Sequence, residues 1–161
     1  MSSLVISKLT DRYHSWVVKL LTEYWGSTEI ATRGRIHNAD RLPGFIALIN
    51  NKPGGLVTYN IDDNQCEIVT LNSLFEKKGI GSALVDSVRN EAYSNGCKRL
   101  WLITTNDNTH AFKFYQKLGF RVAAYHINGI EKSRKLKPIP YIGIDNIAIR
   151  DEIELEIVIE E

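Results

Sequence analysis

Apolar residues recur at spacings of three and four residues in three parts of the chain, as they do on one face of an α-helix. These parts are residues 10–25, 79–93 and 109–118. Gly26 follows the first part and Gly119 follows the third, where a left-handed residue commonly ends a helix. The pattern therefore predicts three amphipathic helices.

Short apolar runs between turn residues predict β-strands. The runs are residues 4–6, 45–50, 56–59, 66–72, 99–104, 120–127 and 152–157. The run at 99–104 is almost continuously apolar, which is typical of a strand covered on both faces. A predicted helix separates it from the run at 66–72, so these two strands can be parallel neighbours. Residues 27–44 and 128–151 show no clear pattern.

These elements predict an α+β protein with a mostly antiparallel sheet and a central strand–helix–strand–helix–strand unit. The length of 161 residues, with a mass of 18.3 kDa, fits a single domain over residues 1–161. The hydrophobic fraction of 43% and the charged fraction of 24% are ordinary for a globular protein. A disordered or fibrous chain is therefore not expected.

Charge and cysteine content limit the kinds of partner and binding site that are expected. Lys and Arg number 20 and Asp and Glu number 19, so the net charge of +1 gives no reason to expect nucleic acid or a membrane surface as a partner. Cys66 and Cys97 are too few for a disulfide framework, and no zinc-binding cysteine spacing occurs. No apolar run reaches the ~18–20 residues of a membrane span, and we recognise no signal peptide. We expect a soluble cytoplasmic protein without a metal.

Residues 71–82 carry the first candidate chemistry, because a strand runs there into a turn with two close glycines and then a helix. The free N–H groups and the dipole of a helix start attract anions. Gly79 and Gly81 allow a close backbone approach, and Lys77 and Lys78 add positive charge. The segment is interpreted as a cradle for a pyrophosphate. It matches neither a Walker loop nor the dinucleotide fingerprint, and a tight turn without a ligand is the alternative.

Residues 106–120 form the second candidate segment. Asn108 can cap the predicted third helix, and Tyr115 lies on its apolar side. Taken alone, the segment is equally typical of an ordinary capped helix whose aromatic residues fill the core.

The two segments together resemble a known family. Strand, Gly-x-Gly, helix, strand and Asn-x-x-Ala-x-x-Phe-Tyr-x-x-x-Gly-Phe follow one another over residues 66–120, as in the GCN5-related N-acetyltransferase (GNAT) superfamily. The segment from Lys135 to Glu156 looks like a bacterial subgroup of it. The resemblance implies the GNAT fold, a central mixed sheet with a V-shaped splay, flanked by helices. It also implies direct transfer of an acetyl group from acetyl-CoA to a primary amine.

The resemblance further implies where acetyl-CoA, the co-substrate, lies. Its pantetheine arm would occupy the splay, and its pyrophosphate would contact the turn before the second helix. The implied cofactor-binding residues are Leu71, Ser73, Glu76, Lys77, Lys78, Gly79, Ile80, Gly81, Ser82 and Asn108. The family prefers Arg or Gln where Glu76 stands, so we expect this carboxylate to turn outward.

Two side chains are candidates for proton transfer. An alkylamine with a pKa of ~10.4 is an ammonium at neutral pH and must lose a proton before it attacks. Glu67 is the candidate base, acting directly or through water, and a solvent-facing residue is the alternative. Tyr115 matches the family tyrosine beside the thioester sulfur and is the candidate acid, with a packing role as the alternative. A backbone N–H near Leu71 can stabilise the developing negative charge.

The acceptor site is less defined. Three basic residues alternate in the unassigned stretch: Arg33, Arg35 and His37. They can recognise an acceptor carboxylate or phosphate, or be solvated loop charges. Glu152, Glu154 and Glu156 share a strand face and can instead attract a cationic acceptor or protect an outer sheet edge. The acceptor is thus open between a small molecule and a peptide, and a homodimer is an open alternative to a monomer.

Two hypotheses without catalysis stay open. The acid Glu76 in the phosphate turn and the lack of a clear base favour a non-catalytic acyl-CoA-binding or sensing module. The other hypothesis is a structural or interaction domain with an empty cleft.

Overall fold

Backbone hydrogen bonds join seven strands into one sheet. The computed structural model describes residues 3–75 and 78–159. The strands are β1 (Leu4–Lys8), β2 (Glu29–Thr32), β3 (Arg35–Asn38), β4 (Gly44–Ile49), β5 (Lys52–Asp62), β6 (Gln65–Ser73), β7 (Arg99–Thr105), β8 (Arg121–His126) and β9 (Glu152–Val158). The helices of the described residues are α1 (His14–Trp25), α2 (Ile80–Ser94), α3 (Thr109–Lys117) and α4 (Ile130–Arg134).

The strand order in the sheet is β1-β4-β5-β6-β7-β9-β8, while β2 and β3 form a separate hairpin. β6 and β7 are parallel, and the other neighbouring pairs in the sheet are antiparallel. α2 follows β6 in the chain and provides the crossover that a parallel pair needs. The predicted α+β class with a mixed, mostly antiparallel sheet is therefore confirmed.

The two parallel strands separate part of the way along their length. Their register ends at the pair Ile68↔Leu102. Beyond this pair β6 stays with β5, and β7 stays with β9. Val69 has no partner of its own in β5, so β6 carries a bulge where the separation begins. The predicted V-shaped splay is present.

Apolar clusters lie on the two faces of the sheet. The larger cluster includes Leu84 of α2 and Tyr115 of α3, and the smaller one packs Leu21 of α1 against Val69 of β6. Successive side chains of a strand point to opposite faces. Glu67 therefore points away from the cluster that contains Tyr115.

The stretch 27–44, for which we predicted no element, forms the β2–β3 hairpin and a 3-10 turn. The hairpin turns at Arg33 and Gly34, whose φ angles are 50° and 71°. Such a turn suits the twist of two short antiparallel strands, and a glycine in its second position is the usual sequence signal. The pair Arg33-Gly34 was therefore a signal that the sequence analysis missed.

The connection between the predicted strands at 45–50 and 56–59 is shorter than expected. It consists of Asn50 and Asn51, with φ angles of 52° and 68°, and β5 begins at Lys52. Gly55 lies within β5, and a glycine is needed there because α2 crosses the strand closely. A Cβ atom at this position would stand 2.7 Å from Cγ2 of Ile80.

The close approach of α2 to Gly55 leads to a prediction about the stability of the protein. We expect Gly55→Ala to destabilise the protein by about 1–3 kcal/mol, because overpacking forces neighbouring groups apart. Gly54→Ala is the matched control, since its Cβ would first meet the flexible end of Ile49 at 3.2 Å. Thermal unfolding should give a lower Tm for the first variant. Equal Tm values would contradict the close packing of α2 on β5.

Candidate active site

The gap between β6 and β7 is bordered by backbone that lacks a partner in the sheet. On the side facing β7, residues 69–73 form no ladder pair within the described sheet. Unpaired N–H and C=O groups of a strand edge readily bind an extended chain that carries amides. The backbone of Leu71 and Ser73 therefore offers hydrogen bonds to an elongated ligand in the gap.

The start of α2 follows β6 closely in the chain and offers free donors. Gly79 is the N-cap, with a left-handed φ of 72°, and no side chain caps the helix among the residues described. The N–H groups of Ile80, Gly81 and Ser82 have no intrahelical partner. The space around Gly79 is open, and Lys78 beside it is exposed. This helix start fits an anionic group of a ligand.

The structure describes only part of the predicted pyrophosphate cradle, and one of its glycines also has a packing role. Glu76 and Lys77 lie outside the described residues, so their roles stay predictions. A Cβ atom on Gly81 would stand 3.1 Å from Cζ of Phe114. Gly81 therefore also lets α2 and α3 approach each other, a packing role that the sequence analysis did not include.

Asn108 caps α3 as predicted. Its Oδ1 accepts a hydrogen bond from Ala111 N at 3.1 Å. Its backbone N–H donates to Thr105 O at 3.0 Å, which places the residue at the end of β7 beside the gap. The side-chain amide nitrogen has no partner within the described parts of the chain, so it is available as a donor.

Tyr115 is buried between two other aromatic rings. The edges of Phe114 and Phe120 meet it at centroid distances of 5.0 and 5.3 Å, and it is 6% exposed. Burial raises the pKa of the phenol, which therefore stays protonated and can donate a hydrogen bond.

Glu67 lies on β6 just before the bulge and is only 3% exposed. Thr32 Oγ1 donates a hydrogen bond to its Oε2 at 2.8 Å. His37 Nε2 lies 3.3 Å from its Oε1. The alternative of a solvent-facing residue is therefore wrong, and two hairpin side chains contact the carboxylate. Sequence analysis missed Thr32, because no local pattern connects it to a residue 35 positions away.

The predicted basic set does not form a free cationic surface. Arg33 donates from its backbone N and from Nη1 to Glu152 at 3.0 and 2.9 Å. Arg35 Nη1 lies 3.4 Å from Asp62 Oδ2, and His37 contacts the carboxylate described above. The role of these residues in acceptor binding stays a prediction, and pairing with internal carboxylates weighs against it.

The glutamates of the last strand are also paired. β9 lies between β7 and β8, so the alternative of an outer sheet edge is wrong. Arg99 Nη1 donates to Glu154 at 2.8 Å and to Glu156 at 2.9 Å. The hydrogen bond from Arg99 lowers the pKa of Glu156 more than partial burial raises it. These carboxylates are neutralised within the chain, which leaves little charge to attract a cationic acceptor.

Residues 128–151 pack beside the connection between β7 and α3. Asn106 Oδ1 accepts hydrogen bonds from the backbone N–H groups of Arg150 and Asp151 at 3.0 and 2.9 Å. These bonds hold the segment close to Asn108. The sequence analysis missed Asn106, because its partners lie 44 and 45 positions further along the chain.

Two further kinds of feature are absent from the described residues, 3–75 and 78–159. No three His, Cys, Asp or Glu side chains there are grouped so that they could hold a metal ion. None of the helices in these ranges has the length and apolarity needed to cross a bilayer.

Known proteins share this architecture. Residues 10–120 match the acetyltransferase (GNAT) family. Protein YdhI of Bacillus subtilis (strain 168) is 46% identical over 142 residues, which cover 86% of this chain and 88% of that protein. An IAA acetyltransferase from Bacillus cereus ATCC 14579 superposes with a TM-score of 0.73 at 21% identity, over 98% of this chain and 100% of that one. A Bacillus subtilis acetyltransferase in complex with CoA superposes with a TM-score of 0.70 at 19% identity, over 99% and 100%.

The splayed pair of parallel strands and the helix start with free donors belong to the architecture that this chain shares with these acetyltransferases. The match of sequence and fold makes the assignment specific. The chain belongs to the acetyltransferase (GNAT) family and is an acetyl-CoA-dependent acyltransferase.

Proposed function

We propose that the protein transfers the acetyl group of acetyl-CoA to a primary amine of a small molecule or a peptide, and that the amine attacks the thioester directly. One observation carries this proposal. Glu67 pairs with Trp101 just before β6 and β7 separate, and Tyr115 belongs to the apolar cluster on the opposite face of the sheet. A proton acceptor and a proton donor thus lie on opposite faces of the sheet.

The residues at the gap fit acetyl-CoA, which supplies an acetyl group activated as a thioester. The free backbone of Leu71 and Ser73 suits the amides of the pantetheine arm. The N–H groups at the start of α2 suit the pyrophosphate. The unpartnered amide of Asn108 adds a donor beside the end of β7.

Glu67 is proposed as the base that takes a proton from the acceptor's ammonium group, so that the neutral amine can attack the thioester. Its carboxylate is almost fully buried, so the proton reaches it through a water molecule. Two of its lone pairs face Thr32 and His37, and a carboxylate offers about four. The remaining lone pairs are free to accept from that water.

Tyr115 is proposed as the acid that gives a proton to the leaving thiolate, and the second proton that the acceptor nitrogen releases as the intermediate collapses restores the phenol. Its phenol stays protonated because burial raises its pKa, and its hydroxyl has no competing partner among the residues described. The backbone N–H of Leu71, free on the side of the gap, is proposed to stabilise negative charge on the carbonyl oxygen.

The state of the cysteines favours direct attack over transfer through the enzyme. A thiolate, not a thiol, is the nucleophile of cysteine chemistry. Burial raises the pKa of Cys66 to about 12 and also raises that of Cys97. Neither side chain is therefore prepared to carry the acetyl group.

The cofactor site can be tested with two variants of Gly79, since Asp and Asn both tolerate a left-handed φ. We expect Gly79→Asp to bind acetyl-CoA at least about tenfold more weakly than Gly79→Asn, because its carboxylate repels the pyrophosphate. The Asp carboxylate interacts favourably with the dipole at the helix start, so the Tm of Gly79→Asp should not be lower than that of Gly79→Asn. Calorimetric titration measures both affinities. Equal affinities would contradict a phosphate site at the start of α2.

Turnover is tested by release of the CoA thiol from acetyl-CoA with n-butylamine, spermidine or a short peptide with a free N-terminal alanine. Thiol release that depends on the amine supports the proposed function. In the alternative, a non-catalytic acyl-CoA-binding module, the two contacts of the Glu67 carboxylate only hold the β2–β3 hairpin to the sheet. Tight binding of acetyl-CoA without thiol release from any probe would support that alternative.

A further inference from the structure

Three polar side chains form a closed, buried group between the β2–β3 hairpin and β6. Thr32 Oγ1 lies 2.8 Å from Glu67 Oε2 and 3.0 Å from His37 Nε2. His37 Nε2 also lies 3.3 Å from Glu67 Oε1. Burial of all three is nearly complete, with exposures of 7%, 4% and 3% for Thr32, His37 and Glu67. The contacts among them therefore decide how the carboxylate is held.

One arrangement of hydrogens in this group is consistent with a Glu67 carboxylate. Glu67 is a carboxylate in the proposed resting enzyme, so it can only accept, and the Thr32 hydroxyl donates to it. The Thr32 oxygen must then accept the contact with His37 Nε2. Nε2 therefore carries a proton that it donates to Thr32 Oγ1, while Glu67 Oε1 lies 3.3 Å from Nε2 as a polar contact outside hydrogen-bond geometry. In this arrangement His37 donates to the group and does not take the proton away.

The hairpin is fixed to the sheet independently of this group. Thr32 and His37 are diagonal neighbours on one face of the hairpin, because Thr32 pairs with Arg35 two residues before His37. Ile30 anchors the same hairpin in the smaller apolar cluster. At the turn, Arg33 is held by the fully buried Glu152. The side chains of Thr32 and His37 thus reach the region of Glu67 from a hairpin that is held at two other points, Ile30 and Arg33.

We propose that His37 and Thr32 are positioning residues that fix the Glu67 carboxylate for proton abstraction, so that the β2–β3 hairpin is part of the catalytic apparatus. This inference rests on the proposed role of Glu67 as base. Thr32 fixes one carboxylate oxygen through its hydrogen bond, and His37 orients Thr32 by donating to the same hydroxyl. The sequence analysis placed His37 in acceptor recognition, whereas its ring nitrogen faces the candidate base.

The kinetic test compares pairs of variants in thiol release from acetyl-CoA, with whichever of the three amine probes the parent uses. His37→Leu should lower kcat about tenfold or more, since the hydrogen bond that orients Thr32 on the Glu67 carboxylate is lost, and leave the KM for acetyl-CoA near the parent value. His37→Gln, whose amide nitrogen can replace Nε2–H, should restore most of kcat. Thr32→Val should likewise lower kcat, and Thr32→Ser, which keeps the hydroxyl, should retain most of it. Asn38→Ala, exposed on the same strand, is the control.

A double-variant cycle separates positioning from a merely structural role. In the Glu67→Gln background, His37→Leu should have little further effect on kcat, because the group it positions is gone. Equal losses from His37→Leu in both backgrounds would overturn the proposal. If Glu67→Gln itself retains the parent kcat, the proposed base is wrong. If Glu67→Gln is impaired and His37→Leu is not, the positioning proposal alone fails.

A nitrogen NMR spectrum of the histidine rings tests the arrangement without any acceptor. We expect His37 to be the Nε2–H tautomer, with resonances that shift in Glu67→Gln. An Nδ1–H tautomer, or resonances that do not respond to Glu67→Gln, would overturn the proposal.

Discussion

Glu67→Gln is expected to lower kcat by about 10²–10⁴-fold, the usual contribution of a general base. The amide has the shape of the carboxylate but cannot take a proton from an ammonium. The side chain lies at the bulge of β6, away from the start of α2, so acetyl-CoA affinity should stay near the parent value. Thiol release with an alkylamine probe measures kcat, and calorimetry measures the affinity.

An acceptor of low basicity provides the sharpest control for this prediction. An arylamine or arylhydrazine is already neutral at the assay pH and does not need a base before it attacks. Where the parent accepts such a probe, Glu67→Gln should impair it much less than an alkylamine. Glu91→Gln is the control variant, because Glu91 lies on α2 and pairs with Lys8 on the surface. Equal kcat values for Glu67→Gln and the parent with an alkylamine would rule out the base role.

Periodicity explains which elements could be predicted. α2 and α3 present apolar residues at helical spacing to a single cluster, so the sequence pattern and the packing agree. β7 and β9 were found because strand alternation and buried faces also leave a mark in the sequence. The β2–β3 hairpin was missed because strands of four residues are too short for alternation to be recognised.

The residues of the candidate site also fall into those that the sequence pattern could locate and those that it could not. The start of α2, Asn108 and Tyr115 lie in local segments whose spacing is itself the signal, so the family resemblance located them. The environment of Glu67 could not be predicted, because its partners Thr32 and His37 are brought to it by the tertiary fold. Sequence analysis therefore named a base but could not state that it is buried and doubly contacted.

Tyr115→Phe is expected to lower kcat about 10²-fold or more with little change in KM, because the lost hydroxyl acts only when the thiolate leaves. Phenylalanine keeps the ring that packs against Phe114 and Phe120, so the Tm should change little. Thiol release at saturating alkylamine and acetyl-CoA measures kcat. Tyr93→Phe, on the exposed side of α2, is the matched control and should behave as the parent.

The pH profile gives this prediction a second, independent readout. An ordinary tyrosine ionises near pH 10, but burial raises the pKa of Tyr115, so its phenol stays protonated beyond that pH. The alkaline loss of kcat due to Tyr115 should therefore begin above pH ~10 and be absent from Tyr115→Phe. Since deprotonation removes the same donor as the substitution, the parent should fall toward the rate of the variant at high pH. A variant with the parent's kcat and the parent's alkaline limb would leave Tyr115 as a packing residue, and the thiolate would then be protonated by solvent.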